Sequence, residues 1–241
     1  MRPPKKAMNV TMAVAQDLGA AIVSGRIAPE APLPTELELC RHYGASRTAL
    51  REAVKMLTAK GLLSVRPRLG ARIRPEQDWN LLDPDVLEWL LERAFSYRLL
   101  IEFTEIRLAV EPGAAALAAS STDPQARARI VAAMEGMFAA ERGEADPLET
   151  DIAFHAAILN ASGNRFYIQL RDMIAAALRF SIRVTNDYKG RTTTALDHQR
   201  IADAVLAGDA ATAAEATRQL IQEALLLIRQ AEADQLAKSG A

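Results

Sequence analysis

Asp151, His155 and His198 are residues of the types that bind divalent metals, and two of them have helical spacing. Asp151 and His155 lie four positions apart, so on a helix their side chains project from one face about one turn apart. His198 begins another predicted helix. A carboxylate and imidazoles together suit Zn²⁺, with Mn²⁺ and Ni²⁺ as further candidates. The same spacing also suits a plain hydrogen bond between Asp151 and His155, so the pattern alone leaves both interpretations open.

Arg107 is a candidate for binding an anionic ligand. It lies in an apolar stretch of a predicted helix, where an inward-pointing guanidinium needs an anionic partner. That partner is either the carboxylate of a bound effector, which a guanidinium binds through two hydrogen bonds, or an acidic side chain of the same chain. Arg179, on the predicted helix 164–186, is a second effector-binding candidate. The acidic side chains that could pair with Arg107 instead are Glu105, Glu111 and Asp151.

Polar and cationic side chains in the first third of the chain indicate a different chemistry, the binding of nucleic acid. On the predicted helix that begins at Ser46, Arg47 and Arg51 lie away from the apolar stripe. Arginine binds phosphates or a guanine edge, and Ser and Thr hydroxyls bond to phosphate or base. A solvated helix face beside a charged turn would carry the same residues. The predicted DNA contacts are Thr35, Ser46, Arg47, Thr48, Arg51, Arg66, Arg68 and Gly70.

The charge distribution favours the nucleic-acid interpretation. The chain as a whole has a formal net charge of −1. Residues 1–76 carry 13 Lys and Arg against 6 Asp and Glu, a net charge of +7. Residues 77–241 carry 16 Lys and Arg against 24 Asp and Glu, a net charge of −8. A basic module joined to an acidic domain is typical of a polyanion-binding unit attached to a unit of another kind.

Composition excludes several classes of protein. The 241 residues are 50% hydrophobic and 24% charged, which is ordinary for a globular protein and unlike a disordered or collagen-like chain. The single cysteine, Cys40, has no partner for an intrachain disulfide, so we expect a reducing cytoplasmic location. No apolar run approaches the ~18 residues that a membrane-spanning helix needs, so no membrane association is expected.

The N-terminal elements form a recognisable order. Apolar periodicity and capping signals predict helices over 9–25, 35–42 and 46–58. The second helix begins with a capping box, in which Thr35 is followed three residues later by Glu38. Two short strands are predicted on either side of a turn that contains a glycine, over 62–66 and 71–74. Three helices followed by a two-stranded wing predict a winged helix-turn-helix whose third helix enters the DNA major groove.

The remainder of the chain has only helical patterns. Asp-Pro pairs at 83–84, 123–124 and 146–147 are typical of helix starts, because Asp caps a helix and Pro suits its first turn. The predicted fold class is mainly α, with the winged helix-turn-helix followed by an all-α helical-bundle ligand-binding domain. The predicted divisions are a DNA-binding domain over 1–75, a linker with its helix over 76–96 and an effector-binding domain over 97–241. The predicted helices lie near 83–93, 97–119, 123–142, 147–161, 164–186, 194–207 and 209–234.

The N-terminal pattern resembles that of a known family. The residues that carry the resemblance are Leu33-Pro34-Thr35-Glu36, then Ser46 to Ala53, then Leu57, Gly61-Leu62 and the wing glycine Gly70. Together they resemble the N-terminal domain of GntR-family bacterial transcription regulators. The resemblance implies binding to a double-stranded DNA operator. Because helix-turn-helix proteins pair two half-sites across a two-fold axis, we expect a homodimer.

The region from about 97 to 230 resembles the helical ligand-binding domain of the FadR subfamily. The runs that carry this resemblance are Glu105-Ile106-Arg107 with Glu111-Pro112, Asp151-x-x-Phe154-His155, Ser162-Gly163-Asn164, and His198 followed by Gly208-Asp209. The resemblance implies a divalent metal on Asp151, His155 and His198. A third histidine of the family falls at Leu220, which cannot ligate. The resemblance also implies that Arg107 faces the ligand cavity, where vacant metal positions accept water or an effector carboxylate.

The segment from Asp78 to Trp89 resembles the linker of galactonate-responsive repressors in this subfamily. The resemblance implies a small sugar acid, D-galactonate first, as the effector. The prediction from sequence is therefore a ligand-responsive transcription regulator that is a repressor. Two other classes remain to be weighed. One is a metal-dependent hydrolase using Asp151, His155 and His198, for which the sequence shows no obvious general base. The other is a constitutive architectural DNA-binding protein that needs no cavity.

Overall fold

The computed structural model of the chain describes residues 9–28, 32–66, 70–93, 96–189 and 195–239. The chain divides into two units, Met1–Phe95 and Ser96–Ala241. Each unit has its own buried core, and each is described by itself below.

The first unit is a winged helix-turn-helix, as the sequence predicted. Its three helices are followed by an antiparallel hairpin in which Leu63 pairs with Ile73 and Arg66 with Gly70. The elements are α1 (Val10–Val23), α2 (Glu36–Tyr43), α3 (Arg47–Ala59), β1 (Leu63–Arg66) and β2 (Gly70–Ile73).

The turn between α2 and α3 is determined by local signals. Gly44 ends α2 with a φ of 58°, a left-handed conformation that glycine adopts without strain. Ser46 then caps α3, since its Oγ accepts a hydrogen bond from the backbone N–H of Ala49 at 3.2 Å. The two caps fix the residue at which α3 begins, so the residues of its first turn have a defined position.

Apolar side chains from α1, α2 and α3 form the core of the first unit. Leu50 and Leu57 of α3 are buried to within 1% of full burial, and each such side chain contributes about 1.5–3 kcal/mol relative to an exposed one. This packing turns the opposite face of α3 outward. The buried cluster consists of Val14, Ala15, Leu39, Leu50 and Ala53.

The linker segment that follows the wing also packs on the first unit. It contains a short 3₁₀ turn (Glu76–Asp78) and helix α4 (Pro84–Arg93). The indole N–H of Trp79 donates to the carbonyl of Arg74 at 3.0 Å. Trp89 lies directly on α1 at Gly19, where an added Cβ would come within 2.4 Å of the indole ring. The linker helix is therefore the fourth helix of the DNA-binding unit.

Lys60 joins the end of α3 to the start of α4. Its ammonium lies 2.7 Å from Asp83 Oδ1 and 2.8 Å from Asp85 Oδ2. Burial lowers the pKa of Lys60, but the hydrogen bonds to the two carboxylates outweigh it and leave the pKa raised. The predicted linker over 76–96 therefore belongs to the first unit, except for its last residue, because that unit ends at Phe95. Contacts to the first unit hold the linker helix.

The second unit is helical throughout its described residues, in agreement with the predicted all-α domain. Two of its helices begin at the predicted Asp-Pro pairs. The carboxylate of Asp123 accepts from the backbone N–H of Gln125 at 2.8 Å, and that of Asp146 from Leu148 at 2.8 Å. The helices are α5 (Tyr97–Ala119), α6 (Pro124–Glu141), α7 (Pro147–Ala161), α8 (Arg165–Gln169), α9 (Arg171–Lys189), α10 (Ala195–Ala207) and α11 (Ala210–Ser239).

The predicted helix over 164–186 is two helices in the structure. The backbone N–H of Leu170 bonds to the carbonyl of Tyr167 at 3.0 Å, a three-residue step that closes α8 before α9 begins. Apolar periodicity continues through this point, so the sequence pattern did not reveal the break. The last helix, α11, runs to Ser239, which is beyond the predicted end at residue 234.

One buried apolar cluster of the second unit contains side chains from α5, α6, α7, α10 and α11. Ile130, Phe154 and Ile201 are each within 1% of full burial. Leu220 of α11 lies in the same cluster and is 6% exposed. The position at which the resemblance implies a histidine is therefore an apolar core position here. Among the described residues, no helix combines the length and the hydropathy that crossing a membrane requires.

Candidate functional site

The outward face of α3 and its N-cap carry four of the eight predicted DNA contacts. Ser46, Arg47, Thr48 and Arg51 are all exposed. The side chains of Arg47 and Arg51 are 72% and 66% exposed, respectively. Because they lie four residues apart on one helix, both guanidinium groups project from the same face. Both cations are therefore exposed on the same side of α3.

A carboxylate of α2 contacts both of these arginines. Glu36 Oε2 accepts a hydrogen bond from Nε of Arg51 at 3.0 Å. The other oxygen, Oε1, lies 4.0 Å from Nε of Arg47. This contact could not be predicted, because no local sequence signal links Glu36 to an arginine fifteen residues later.

The remaining predicted DNA contacts lie around the second helix and the wing. Thr35 is exposed, and its hydroxyl donates to Glu38 Oε2 at 2.7 Å within the predicted capping box. Arg66 is exposed at the end of β1, and Gly70 begins β2 with a φ of 76°. Arg68 lies outside the residues that the structure describes.

In the second unit, α7 and α10 bring Asp151, His155 and His198 together. Nε2 of His198 lies 2.9 Å from Oδ1 of Asp151, and Nε2 of His155 lies 3.9 Å from the same oxygen. One donor atom from each residue lies within 4.8 Å of the other two, and all three residues are buried. The local geometry follows from the i, i+4 spacing on α7 and from the position of His198 in the first turns of α10.

Arg107 of α5 points inward and joins this cluster. Its Nε donates to Glu111 Oε1 at 2.6 Å, and its Nη2 lies 3.2 Å from Nε2 of His155. The second carboxylate oxygen of Glu111 bonds to Nδ1 of His155. Since a guanidinium only donates, Nε2 of His155 is the accepting nitrogen and Nδ1 carries the proton. Of the two partners that the sequence left open for Arg107, the structure contains the intramolecular one.

Both buried carboxylates are ionised at neutral pH. Burial raises the pKa of Glu111, but the positive charge of Arg107 and the hydrogen bonds from Arg107 and His155 outweigh it and lower the pKa to about 2. Burial likewise raises the pKa of Asp151, but the hydrogen bond from His198 and the neighbouring charges leave it lowered. The cluster therefore combines two ionised carboxylates with the guanidinium of Arg107 and the imidazoles of His155 and His198.

This donor set fits a divalent cation. One carboxylate and two imidazoles are the ligand types of a zinc site that keeps an open position. Leu220, where the family supplies a further histidine, offers no donor atom. The four positions that the resemblance indicates therefore supply at most three protein ligands in this chain.

Arg179 does not join the cluster. Its guanidinium is at the surface of α9, with 44% of the side chain exposed, and pairs with Glu149 at 3.0 Å. This position gives no support to Arg179 as an effector-binding residue, because an exposed acidic neighbour pairs with it outside the cluster. Glu111, one of the acidic partners that the sequence offers for Arg107, also bonds to Nδ1 of His155.

Comparisons with known proteins match both units. Residues 11–73 match the family of bacterial regulatory proteins, gntR family, and residues 102–223 match the FCD domain. A solved structure of the Listeria monocytogenes regulator Lar, which controls expression of the agr system, aligns over 94% of this chain and 99% of that one. Its TM-score is 0.59 at 19% identity, so that likeness concerns the fold alone.

Two curated relatives from Escherichia coli are more similar in sequence. The galactonate operon transcriptional repressor is 33% identical over 216 residues, which cover 89% of this chain and 94% of the relative. The uncharacterized HTH-type transcriptional regulator YieP is 33% identical over 222 residues, 89% of this chain and 93% of the relative. The matched proteins are transcription regulators and not enzymes, which removes the hydrolase alternative. The chain belongs to the GntR family of DNA-binding transcription regulators, and its second unit is an FCD domain of the FadR type.

Proposed function

We propose that this chain is a transcriptional repressor whose binding to its operator is controlled by a small sugar acid in the second unit. The observation that carries the proposal is the buried cluster of Asp151, His155 and His198 beside Arg107. Burying charged groups costs free energy, and this cluster buries the carboxylates of Asp151 and Glu111 together with the guanidinium of Arg107. The similarity to the galactonate operon repressor supports a six-carbon aldonate, D-galactonate first, as the effector.

Asp151, His155 and His198 are the residues that would hold a divalent metal, Zn²⁺ first and Mn²⁺ or Ni²⁺ as alternatives. A bound metal supplies a Lewis-acidic position that the carboxylate and neighbouring hydroxyl of a hydroxy acid can chelate. Glu111 supports this arrangement, because its bond to Nδ1 of His155 leaves Nε2 to ligate. A carboxylate behind a histidine ligand is a recurrent feature of zinc sites.

Arg107 is the residue proposed to bind the carboxylate of the effector. Glu111 occupies its Nε at 2.6 Å, whereas Nη2 extends to the ring of His155. The Nη end of the guanidinium is thus the part that faces the cluster. A ligand carboxylate there would replace the contact between Arg107 and His155 with a charge-assisted hydrogen bond.

The DNA-binding unit acts on double-stranded operator DNA, and we propose that two copies of the chain bind as a homodimer. Two-fold pairing places two recognition helices on successive half-sites of a palindrome. The effector would favour the arrangement of the dimer that binds the operator less well, which is a shift of populations and not a chemical step. Such a regulator acts in the cytoplasm, where its DNA is.

The experiment that tests the proposal is isothermal titration of the full chain with galactonate, gluconate and lactate. We expect heat with the aldonates and a roughly 10- to 100-fold weaker Kd in Arg107→Ala, since losing a charged hydrogen-bond partner costs roughly 1.5–3 kcal/mol. Arg179→Ala is the matched control, because that arginine is paired at the surface with Glu149.

The outcomes separate the parts of the proposal. Absence of heat with every aldonate would reject the sugar-acid effector. Equal affinity in wild type and Arg107→Ala would reject only the role of Arg107. Equal losses in Arg107→Ala and Arg179→Ala would indicate a general effect of removing a cation and not a binding contact.

A further inference from the structure

Glu36 is placed to act on the arginines of the recognition helix. It is the first residue of α2, directly after the cap Thr35. From there its carboxylate reaches across to α3, where it bonds to Nε of Arg51 and lies near Arg47. Its side chain is 37% exposed, so the contact lies at the edge of the surface that α3 presents.

The bond to Nε determines which edge of the Arg51 guanidinium remains available. A guanidinium has a side edge, formed by Nε and one Nη, and an end edge, formed by both Nη groups. Glu36 occupies the side edge at Nε. The end edge keeps its two donors, which match the N7 and O6 acceptors of a guanine in the major groove.

The negative charge of Glu36 also favours contacts to bases over contacts to phosphates. A carboxylate beside two cations lowers their attraction for phosphates, and contacts to phosphates carry no sequence information. We propose that Glu36 is a positioning residue that directs Arg51 toward a base edge and weakens its binding to phosphate. It would thereby increase the preference of the protein for its operator over other DNA.

A simpler role would be structural. An acidic residue in the first turn stabilises a helix through its dipole, and Glu36 and Glu38 both lie in the first turn of α2. Loss of that role alone would weaken binding to every DNA by the same factor. The ratio of affinities for two DNA sequences therefore distinguishes positioning from helix stabilisation.

The test uses the full chain and two duplexes of equal length. One is enriched by the wild-type chain from a random library and is called the selected duplex, and the other is its shuffled sequence. For Glu36→Gln we expect a two- to fivefold weaker Kd for the selected duplex, in line with an exposed ion pair, and an unchanged or tighter Kd for the shuffled one. Glu52→Gln is the matched control, because Glu52 is an exposed acidic residue of α3 that pairs with Lys55.

A second arm tests whether the effect acts through Arg51. In an Arg51→Ala background, Glu36→Gln is expected to leave the ratio of the two affinities unchanged. The ratio measured is the affinity for the selected duplex divided by the affinity for the shuffled duplex. The proposal is overturned if Glu36→Gln does not lower this ratio below that of the wild type, or if Glu52→Gln lowers it by the same amount. It is also overturned if Glu36→Gln lowers the ratio as much in the Arg51→Ala background as in the wild-type background. Glu36→Asp, which keeps the charge on a shorter side chain, replaces the Gln variant if that variant does not fold.

Discussion

At the scale of single residues, the energetic contribution of each ion pair depends on how deeply the pair is buried. The pair of Arg107 and Glu111 is almost fully buried, with 5% and 2% of the side chains exposed. The pair of Arg179 and Glu149 has nearly the same distance, 3.0 Å, but 44% and 58% exposure. Water screens the second pair and not the first, so the same two residue types have different energetic importance.

Removal of Glu111 is expected to be far more costly than removal of Glu149. Glu111→Leu leaves a buried guanidinium without its carboxylate, which should lower the free energy of unfolding by about 3–5 kcal/mol. Glu149→Leu should lower it by less than about 1 kcal/mol. Urea unfolding followed by circular dichroism measures both variants. Similar losses in the two variants would show that burial does not determine the contribution of these pairs.

The candidate metal ligands give a second prediction at the residue scale. Protein purified without a histidine tag should contain a divalent metal, most of which is lost in the double variant His155→Ala and His198→Ala. Leu220→His should bind the metal more tightly, because it restores the donor that the family has at that position. Elemental analysis after dialysis measures all three proteins. Metal content that is unaffected by the double variant would place the metal elsewhere.

At the scale of helices and strands, most of the fold could be predicted because its signals are local. The Asp-Pro pairs, the capping box at Thr35 and the stop at Gly44 each act within a few residues of the helix end that they define. The break at Leu170 could not be predicted, since the apolar periodicity continues through it. The contacts of Glu36 with Arg51 and of Glu111 with His155 span 15 and 44 positions, and only tertiary packing creates them. The candidate metal ligands could therefore be named from the sequence, whereas the contacts of Glu36 with Arg51 and of Glu111 with His155 could not.

The capping box of α2 makes a prediction at this scale. Thr35→Ala should lower the free energy of unfolding by about 1 kcal/mol. The hydrogen bonds from the hydroxyl and backbone N–H of Thr35 hold the pKa of Glu38 below its ordinary value of 4.5. A group with a lowered pKa stabilises the folded state above its ordinary pKa, and that contribution is lost as the pH falls through the lowered value. The difference between wild type and Thr35→Ala should thus be larger at pH 7 than at pH 3.

The fluorescence of the protein suits this measurement, because both tryptophans, Trp79 and Trp89, lie in the first unit. Urea unfolding at the two pH values, followed by tryptophan emission, gives the two differences directly. A difference that grows on acidification would contradict the assigned role of the capping box.

At the scale of the whole molecule, the recognition helix and the buried polar cluster lie in different units. The basic first unit carries the exposed recognition helix, and the acidic second unit carries the buried polar cluster. A ligand can regulate DNA binding only by binding more tightly to one arrangement of the protein than to another. The account therefore requires that a ligand of the second unit change the affinity of the first unit for DNA.

Fluorescence anisotropy of the labelled selected duplex, titrated with galactonate at fixed salt, tests this central claim most directly. The account predicts that galactonate releases the duplex from the wild-type chain. It also predicts that Arg107→Ala binds the duplex with wild-type affinity but requires roughly 10- to 100-fold more galactonate for release. Anisotropy that does not respond to any aldonate, with the duplex still bound, would contradict the account.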